Sequence, residues 1–220
     1  MDPAQAFAEA RACMVDSQVR PNKVNDPRII AAMRQLPRER FLPPHLASLA
    51  YVDEDVPLGE GRVLVEPAVI ARLVQLTAIT AGERALVVAS GTGYGAALLA
   101  ACGARVTALE EAASLQAIAR GVLAELAPSV SLVAGPLAAG WPSGAPYDVI
   151  LIEGAVHEIP KAIGAQLHQE TGRLVAVCAG SGVCQAVLAE ATAVGLRLAP
   201  MFDCAVPPIP SLLPSPGFVF

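Results

Sequence analysis

From Gly82 onward the chain alternates short, uninterrupted apolar runs with helix-forming stretches, and this alternation constrains its fold most strongly. A short apolar run bounded by glycine is typical of a strand that is covered on both faces of a sheet. Strands that alternate with helices need crossover connections, which build a mainly parallel sheet with helices on both faces. The predicted strands are 85–89, 105–109, 130–134, 147–152 and 173–179, with a helix at 114–126 between two of them.

The N-terminal part, residues 1–80, is predicted to be a helical segment that packs on the main domain. Asp26-Pro27 is typical of a helix start, because the aspartate oxygen can accept free backbone N–H groups and proline fits the first turn. Pro37 is predicted to end that helix. Residues 57–61 are predicted to be a loop, and 69–76 a second helix.

The C-terminal part departs from the strand–helix alternation. Residues 183–191 and 196–206 have no helix between them, which predicts an antiparallel strand pair at the end of the sheet. Residues 81–206 would then form one α/β domain. The tail, 207–220, is rich in proline and uncharged, and we expect it to lie extended across that domain.

Composition excludes several classes of protein. Hydrophobic residues make up 54% of the chain and charged residues 16%, which is too apolar for a disordered protein. The charge-free stretches at 174–189 and 204–220 are interrupted by glycines or prolines, so no membrane span of about 20 residues is predicted. The net charge of −5 and the lack of a Lys/Arg run exclude nucleic acid as a partner. The acidic N-terminus shows no export signal, which predicts a cytoplasmic protein.

The cysteines and histidines do not form a ligand pattern. No CxxC pair occurs and the histidines are isolated, so no metal site is predicted. We expect the cysteines to be reduced and buried rather than paired in disulfides. They are Cys13, Cys102, Cys178, Cys184 and Cys204.

A glycine-rich segment, Ala89-Ser-Gly-Thr-Gly93, follows the first predicted strand and precedes a helix. Glycines there let the backbone approach a ligand closely, and the helix start offers free N–H groups. About 20 residues later, at the end of the next strand, Glu110 can accept both hydroxyls of a ribose. This combination predicts a nucleoside site; the competing interpretation is a tight turn with no ligand.

The spacing alone leaves the type of nucleoside open. Gly91, Gly93 and Ala96 also satisfy the fingerprint of nicotinamide dinucleotides. The long segment before the loop and the lack of a following catalytic domain weigh against a dehydrogenase. Glu153, after the fourth strand, is either a ligand contact at the carboxyl end of the sheet or a solvated loop acid.

Segments spread through most of the chain resemble the protein-L-isoaspartate O-methyltransferases. This resemblance implies a Rossmann-like class I methyltransferase fold, with a seven-stranded, mostly parallel sheet and an antiparallel final strand. It also implies S-adenosylmethionine as cofactor and the abnormal carboxylate of isoaspartyl residues in a protein or peptide as substrate. The matching segments are 14–20, 26–33, 37–43, 49–51, 91–94, 140–142, 146–151, 158–160 and 172–175.

The resemblance also assigns site positions, with departures. No catalytic residue is assigned, because the family's loop serine falls at Val65 and its threonine at Val63. Its acidic residue before the glycines falls at Val87 or Ala89, and its Asp-Gly pair at Pro136-Leu137. The implied substrate loop is Arg62, Val63, Leu64 and Val65; the implied cofactor-binding residues are Ala89, Ser90, Gly91, Thr92, Gly93, Glu110, Pro136 and Leu137.

These departures motivate a second hypothesis from another class. The chain would be a methyltransferase fold without catalysis that serves as a binding or assembly subunit. A protein partner would then contact the apolar tail through Leu212, Leu213, Phe218 and Phe220.

Overall fold

The N-terminal third is helical in the computed structural model, which describes residues 2–179, 183–192 and 195–214. The second helix begins as predicted, because the Asp26 carboxylate accepts the Arg28 amide at 2.9 Å and Pro27 occupies the first turn. The first helix is capped in the same way by Asp2 and continues into a π-helical turn, Val15–Val19. The helices of this part are α1 (Pro3–Met14), α2 (Pro27–Gln35) and α3 (Pro67–Leu76).

A β-hairpin stands where a loop was predicted at residues 57–61. Its strands, β1 (Val56–Gly59) and β2 (Arg62–Leu64), pair with each other in antiparallel register and belong to no other sheet. The loop prediction is confirmed for the turn at residues 60–61 and wrong for residues 57–59, because a four-residue strand that contains Pro57 and Gly59 is too short to show a period. The hairpin places Arg62 and the rest of the implied substrate loop beside the main sheet.

The main sheet has seven strands in the order β5-β4-β3-β6-β7-β8-β9. The first five pair in parallel, whereas β8 runs antiparallel to both of its neighbours. This confirms the predicted mostly parallel sheet with an antiparallel end. The strands are β3 (Arg84–Val88), β4 (Arg105–Glu110), β5 (Ser131–Ala134), β6 (Val149–Val156), β7 (Arg173–Cys178), β8 (Gln185–Thr192) and β9 (Gly195–Asp203).

Both faces of this sheet are buried, which explains why its strands are uninterrupted apolar runs. Successive strand residues point to opposite faces: Val87 belongs to an apolar cluster with the N-terminal helices, and Leu86 and Val88 belong to a second cluster on the other face. The remaining helices are α4 (Tyr94–Ala101), α5 (Ala113–Leu126) and α6 (Lys161–Gly164). Ligands of such folds bind at the carboxyl ends of the strands, where β3, β4 and β6 lie side by side.

Residues 207–212, the C-terminal strap, cross this carboxyl end. The Ala155 amide donates to the Pro207 carbonyl at 3.1 Å, and the Ile209 amide donates to the Ala155 carbonyl at 2.8 Å. Pro210 packs so closely on Gly61 that a Cβ there would lie 2.6 Å from its Cγ. Leu212 packs on the second cluster and Leu213 is exposed, while Phe218 and Phe220 lie outside the described residues. The tail as described therefore packs on its own chain.

The cysteines differ from one another in burial. All five are free thiols; Cys102 is buried and Cys178, Cys184 and Cys204 are half-buried. The prediction of burial is wrong for Cys13, which lies on an exposed face of α1. In the part of the chain that the structure describes, we find no helix long and apolar enough to cross a membrane.

Candidate active site

The glycine loop, residues 89–93, connects the end of β3 to the start of α4. Gly91 and Gly93 have φ values of 57° and 96°, which glycine adopts at little cost. A Cβ at residue 93 would also lie 2.9 Å from Leu123 of α5, so this position requires glycine for packing as well. Ala89 shares the left-handed conformation, with φ 60°, although it has a side chain. The loop is therefore a strained turn whose amides face the end of β4.

Glu110, the last residue of β4, is fully buried beside this loop. Its Oε2 accepts the Gly91 amide at 2.7 Å, which ties the carboxylate to the loop. Its Oε1 accepts the amides of Glu111 and Ala112 at 2.9 and 3.0 Å. The position that the sequence predicts for a ribose-binding acid is thus held rigidly by three backbone donors.

Arg62 of β2 brings its guanidinium onto the same carboxylate. Its Nη1 lies 3.2 Å from Oε2 of Glu110, and the side chain is only 6% exposed. Its Nη2 donates to the carbonyls of Ala89 and of Glu153, the latter at 3.2 Å. The implied substrate-loop residue Arg62 therefore contacts the implied cofactor-binding residue directly, which no sequence pattern indicated.

Glu153 of β6 lies in the same buried group. The interpretation as a solvated loop acid is wrong, because the residue is 5% exposed. Burial raises the pKa of its carboxyl group to about 8, against the opposing influence of Arg62 and Arg38. Its Oε2 points at Gly95, where a Cβ would lie 2.4 Å away. Glycine at residue 95 therefore makes room for this carboxyl group at the start of α4.

Arg38 donates a hydrogen bond to the backbone of the substrate loop. No sequence pattern indicated this role. It is fully buried; its Nε donates to the Ala50 carbonyl at 2.7 Å and its Nη2 to the Val65 carbonyl at 2.6 Å. Its guanidinium carbon lies 4.8 Å from the ring centre of Tyr94, the first residue of α4. Burial lowers the pKa of Arg38 and raises that of Tyr94. Arg38 belongs to the segment 37–43, which carried part of the resemblance.

The comparisons with known proteins agree with this geometry. Residues 10–193 match the family described as Protein-L-isoaspartate(D-aspartate) O-methyltransferase (PCMT). The chain belongs to this family. A Protein-L-isoaspartate O-methyltransferase of Methylorubrum extorquens is 42% identical over 174 residues, which are 79% of this chain and 76% of that protein.

Two solved structures of similar proteins support the fold. One, a protein-L-isoaspartate O-methyltransferase, has a TM-score of 0.76 and 25% identity; the match covers 91% of this chain and 65% of that one. The other, a putative enzyme of this kind from Plasmodium falciparum in complex with S-adenosyl-L-homocysteine, has a TM-score of 0.77 and 17% identity. That match covers 91% of this chain and 98% of the other. At this identity the second similarity shows the fold alone.

Several departures from the PCMT pattern occupy buried positions. Val65 is 1% exposed and Leu64 2%, whereas Val63 is half-buried and packs on the first cluster. Val87 faces that cluster too, so an acid there would be surrounded by apolar side chains. The two residues that stand where the family has Asp-Gly differ in burial. Pro136 is exposed, whereas Leu137 is buried in the second cluster. The neighbouring Gly135 bonds the main chain of Glu110, with its amide 3.4 Å from the Glu110 carbonyl.

Several buried polar atoms near the glycine loop have no hydrogen-bond partner. Six buried side-chain oxygen or nitrogen atoms in the described residues have no hydrogen-bond partner. Buried polar groups normally have partners, so each exception needs an explanation. Five belong to the loop and the residues just described: Ser90 Oγ, Thr92 Oγ1, Tyr94 hydroxyl, Arg38 Nη1 and Glu153 Oε2; the sixth is Gln18 Oε1.

A cavity lies elsewhere, between α6 and the strands β7, β8 and β9. Its volume is about 1010 Å³, and its lining includes His157, Lys161 and Leu196. It shares no lining residue with the glycine loop or with Glu110. The buried polar groups near the glycine loop and this cavity are therefore two separate features of this PCMT member.

Proposed function

We propose that this chain is an S-adenosylmethionine-dependent O-methyltransferase of carboxylates, with isoaspartyl residues in proteins or peptides as its substrate. The observation that carries the proposal is the buried Glu110 carboxylate at the end of β4, bonded to the Gly91 amide at 2.7 Å in a chain of the PCMT family. In this proposal residues 81–206 bind the donor, residues 1–80 provide the substrate loop, and the strap, residues 207–212, covers the site.

The residues present fit an adenosine-bearing donor. Three amides orient the Glu110 carboxylate and take three of its about four lone-pair sites, so the remaining site is available to a sugar hydroxyl once Arg62 moves. The unpartnered hydroxyls of Ser90 and Thr92 line the same loop and can bond further polar groups of a ligand. When bound, the donor supplies a methyl group on a positively charged sulfur. The site binds it through Ala89, Ser90, Gly91, Thr92, Gly93 and Glu110 in this proposal, with Pro136 and Leu137 nearby.

The acceptor chemistry needs little from the protein. A carboxylate with a pKa near 4 is ionised at neutral pH, so no general base is required. The protein must hold one oxygen in line with the methyl group, and positioning of this kind supplies much of the acceleration. Val65 has no hydroxyl to donate, but the Arg38 guanidinium bonds its carbonyl. Positive charge beneath the substrate loop favours a carboxylate acceptor.

Transfer of a labelled methyl group from S-adenosylmethionine to an isoaspartyl peptide tests the proposal. The aspartyl peptide of the same sequence is the control substrate, and Glu110→Gln is the control enzyme. We expect label on the isoaspartyl peptide only, released as methanol in mild base because carboxyl methyl esters hydrolyse there. Donor binding without transfer to either peptide would favour the non-catalytic binding role. No binding of S-adenosylhomocysteine at millimolar concentration would overturn the donor site.

We also propose that the protein works in the cytoplasm. All five cysteines are free, and paired cysteines are usual in oxidising compartments. Fractionation of cells that produce the protein, with a cytoplasmic and an exported marker, checks this location.

A further inference from the structure

The guanidinium of Arg62 lies on the carboxylate that we propose for the sugar of the donor. We infer that Arg62 is a displaceable latch: it holds the β1–β2 hairpin closed over the glycine loop, and donor binding requires its guanidinium to leave Glu110. This inference rests on the proposed donor site.

The donor's sugar and the Arg62 guanidinium would compete for Glu110, because this carboxylate can accept few further hydrogen bonds. A carboxylate offers about four lone-pair sites. Fixed backbone amides take three of them, at 2.7, 2.9 and 3.0 Å. Arg62 Nη1 lies 3.2 and 3.4 Å from the two oxygens and covers what is left. A sugar diol and the guanidinium therefore cannot both bond this carboxylate fully.

Release of Arg62 leaves no unsatisfied carboxylate behind. Glu110 keeps its three amide donors when the guanidinium leaves, because those bonds belong to the loop and to the residues after β4. The other acceptors of Arg62 are the backbone carbonyls of Ala89 and Glu153.

The hairpin that carries Arg62 is held by side-chain contacts and not by the main sheet: Val56 and Leu64 are buried in the first cluster, and Pro210 of the strap packs on Gly61. Its two strands pair only with each other, and a two-stranded hairpin is marginally stable by itself. Leu58 covers Gly91, and the exposed Ser114–Glu60 hydrogen bond adds one weak link at 3.2 Å. Arg62 provides the buried polar link between the hairpin and the glycine loop, since it bonds Glu110 and the Ala89 carbonyl together.

Two measurements on Arg62→Gln test the latch, with Arg173→Gln as the matched control. Arg173 also bonds a glutamate and backbone carbonyls, but at the opposite end of the sheet. Hydrogen exchange of the amides of residues 56–64, without donor, should be at least tenfold faster in Arg62→Gln. Calorimetry should give a dissociation constant for S-adenosylhomocysteine at least tenfold lower than in the unmodified chain. The control should change neither quantity.

The outcomes separate the latch from the donor site. Equal binding by Arg62→Gln and the unmodified chain would overturn the latch and leave the donor site standing. Weaker binding by a folded Arg62→Gln would also overturn it, because Arg62 would then hold the donor. No binding by either protein would overturn the donor site and the latch with it. Arg62→Lys keeps the charge without the fork and should fall between the two, and it replaces Arg62→Gln if that variant does not fold.

Discussion

An arginine–glutamate ion pair lies at each end of the central sheet, and the surroundings of the two pairs differ. At the amino end Arg173 lies 2.8 Å from Glu83. It also donates to the carbonyls of Thr77 and Ala78, which follow α3. The two side chains are 18% and 22% exposed, and water reaches both. None of the unpartnered buried atoms in the described part of the chain lies at this end.

At the carboxyl end the Arg62–Glu110 pair is buried, at 6% and 0% exposure. Around it lie the unpartnered atoms of Ser90, Thr92 and Glu153. Leaving buried polar groups without partners costs about 1–3 kcal/mol each, so a fold that keeps several of them together has a use for them. The two Arg–Glu pairs therefore differ in burial and in the polar atoms around them.

The largest effect is expected when Glu110, the acidic member of the carboxyl-end pair, is substituted. Glu110→Gln should weaken binding of S-adenosylhomocysteine at least about 100-fold, because an amide nitrogen cannot accept the backbone N–H groups that orient this side chain. Titration calorimetry measures the change. Glu83→Gln, the equivalent change at the amino end, should leave the binding constant unaltered; an equal loss in both variants would contradict the contrast between the two ends.

The next effect concerns pH. Because burial raises the pKa of Glu153 from 4.5 to about 8, the folded protein binds a proton more tightly than the unfolded chain. The residue therefore reduces stability increasingly as the pH rises from 4.5 to about 8, by on the order of 5 kcal/mol in total. Arg62, Arg38 and Glu110 are the charged groups that face it. Glu153→Gln should remove this dependence.

Urea unfolding of the unmodified chain and of Glu153→Gln between pH 4 and pH 9 measures the difference. The two stabilities should converge near pH 4 and separate towards pH 8, with the variant more stable. A constant difference across this range would show that Glu153 does not titrate there.

A smaller effect is expected at the amino end. Arg173→Gln should lower the free energy of unfolding by about 1–3 kcal/mol, because it breaks a half-buried ion pair and the links from β7 to the end of α3. Thermal unfolding measures this loss. The binding constant for S-adenosylhomocysteine should stay the same; a change in binding would mean that this end also serves the ligand.

The smallest effect concerns the strained turn. Ala89 has φ 60°, a conformation that costs an alanine about 1 kcal/mol. Ala89→Gly should raise the free energy of unfolding by up to about 1 kcal/mol, since glycine relieves the strain but gains entropy when unfolded. Chemical denaturation measures the gain. A loss of stability would show that the Ala89 methyl group contributes more by packing than its conformation costs.

Much of the fold could be predicted from the sequence because its signals are local. Uninterrupted apolar runs located the parallel strands to within a few residues, and the glycines with Glu110 located the carboxyl end of β3 and β4. The hairpin was missed because β1 and β2 are too short for a period to appear.

The arrangement of the site could not be predicted, because it depends on contacts between distant residues. Arg62 and Glu110 are 48 positions apart, and Arg62 and Glu153 are 91 positions apart. Nothing near Glu153 in the sequence indicates that α4 will bury it against Gly95. Arg38 lies among charged neighbours in a short helical turn, Arg38–Phe41, and its burial follows only from the packing of α4 and the substrate loop.

The contact of Pro210 on Gly61 has a consequence for biosynthesis. The hairpin leaves the ribosome about 150 residues before the strap that covers its turn, which corresponds to roughly 10–30 seconds of translation. During that interval the nascent chain has no strap beside Gly61. Chaperones and proteases that act on nascent chains therefore meet the hairpin turn before the strap covers it.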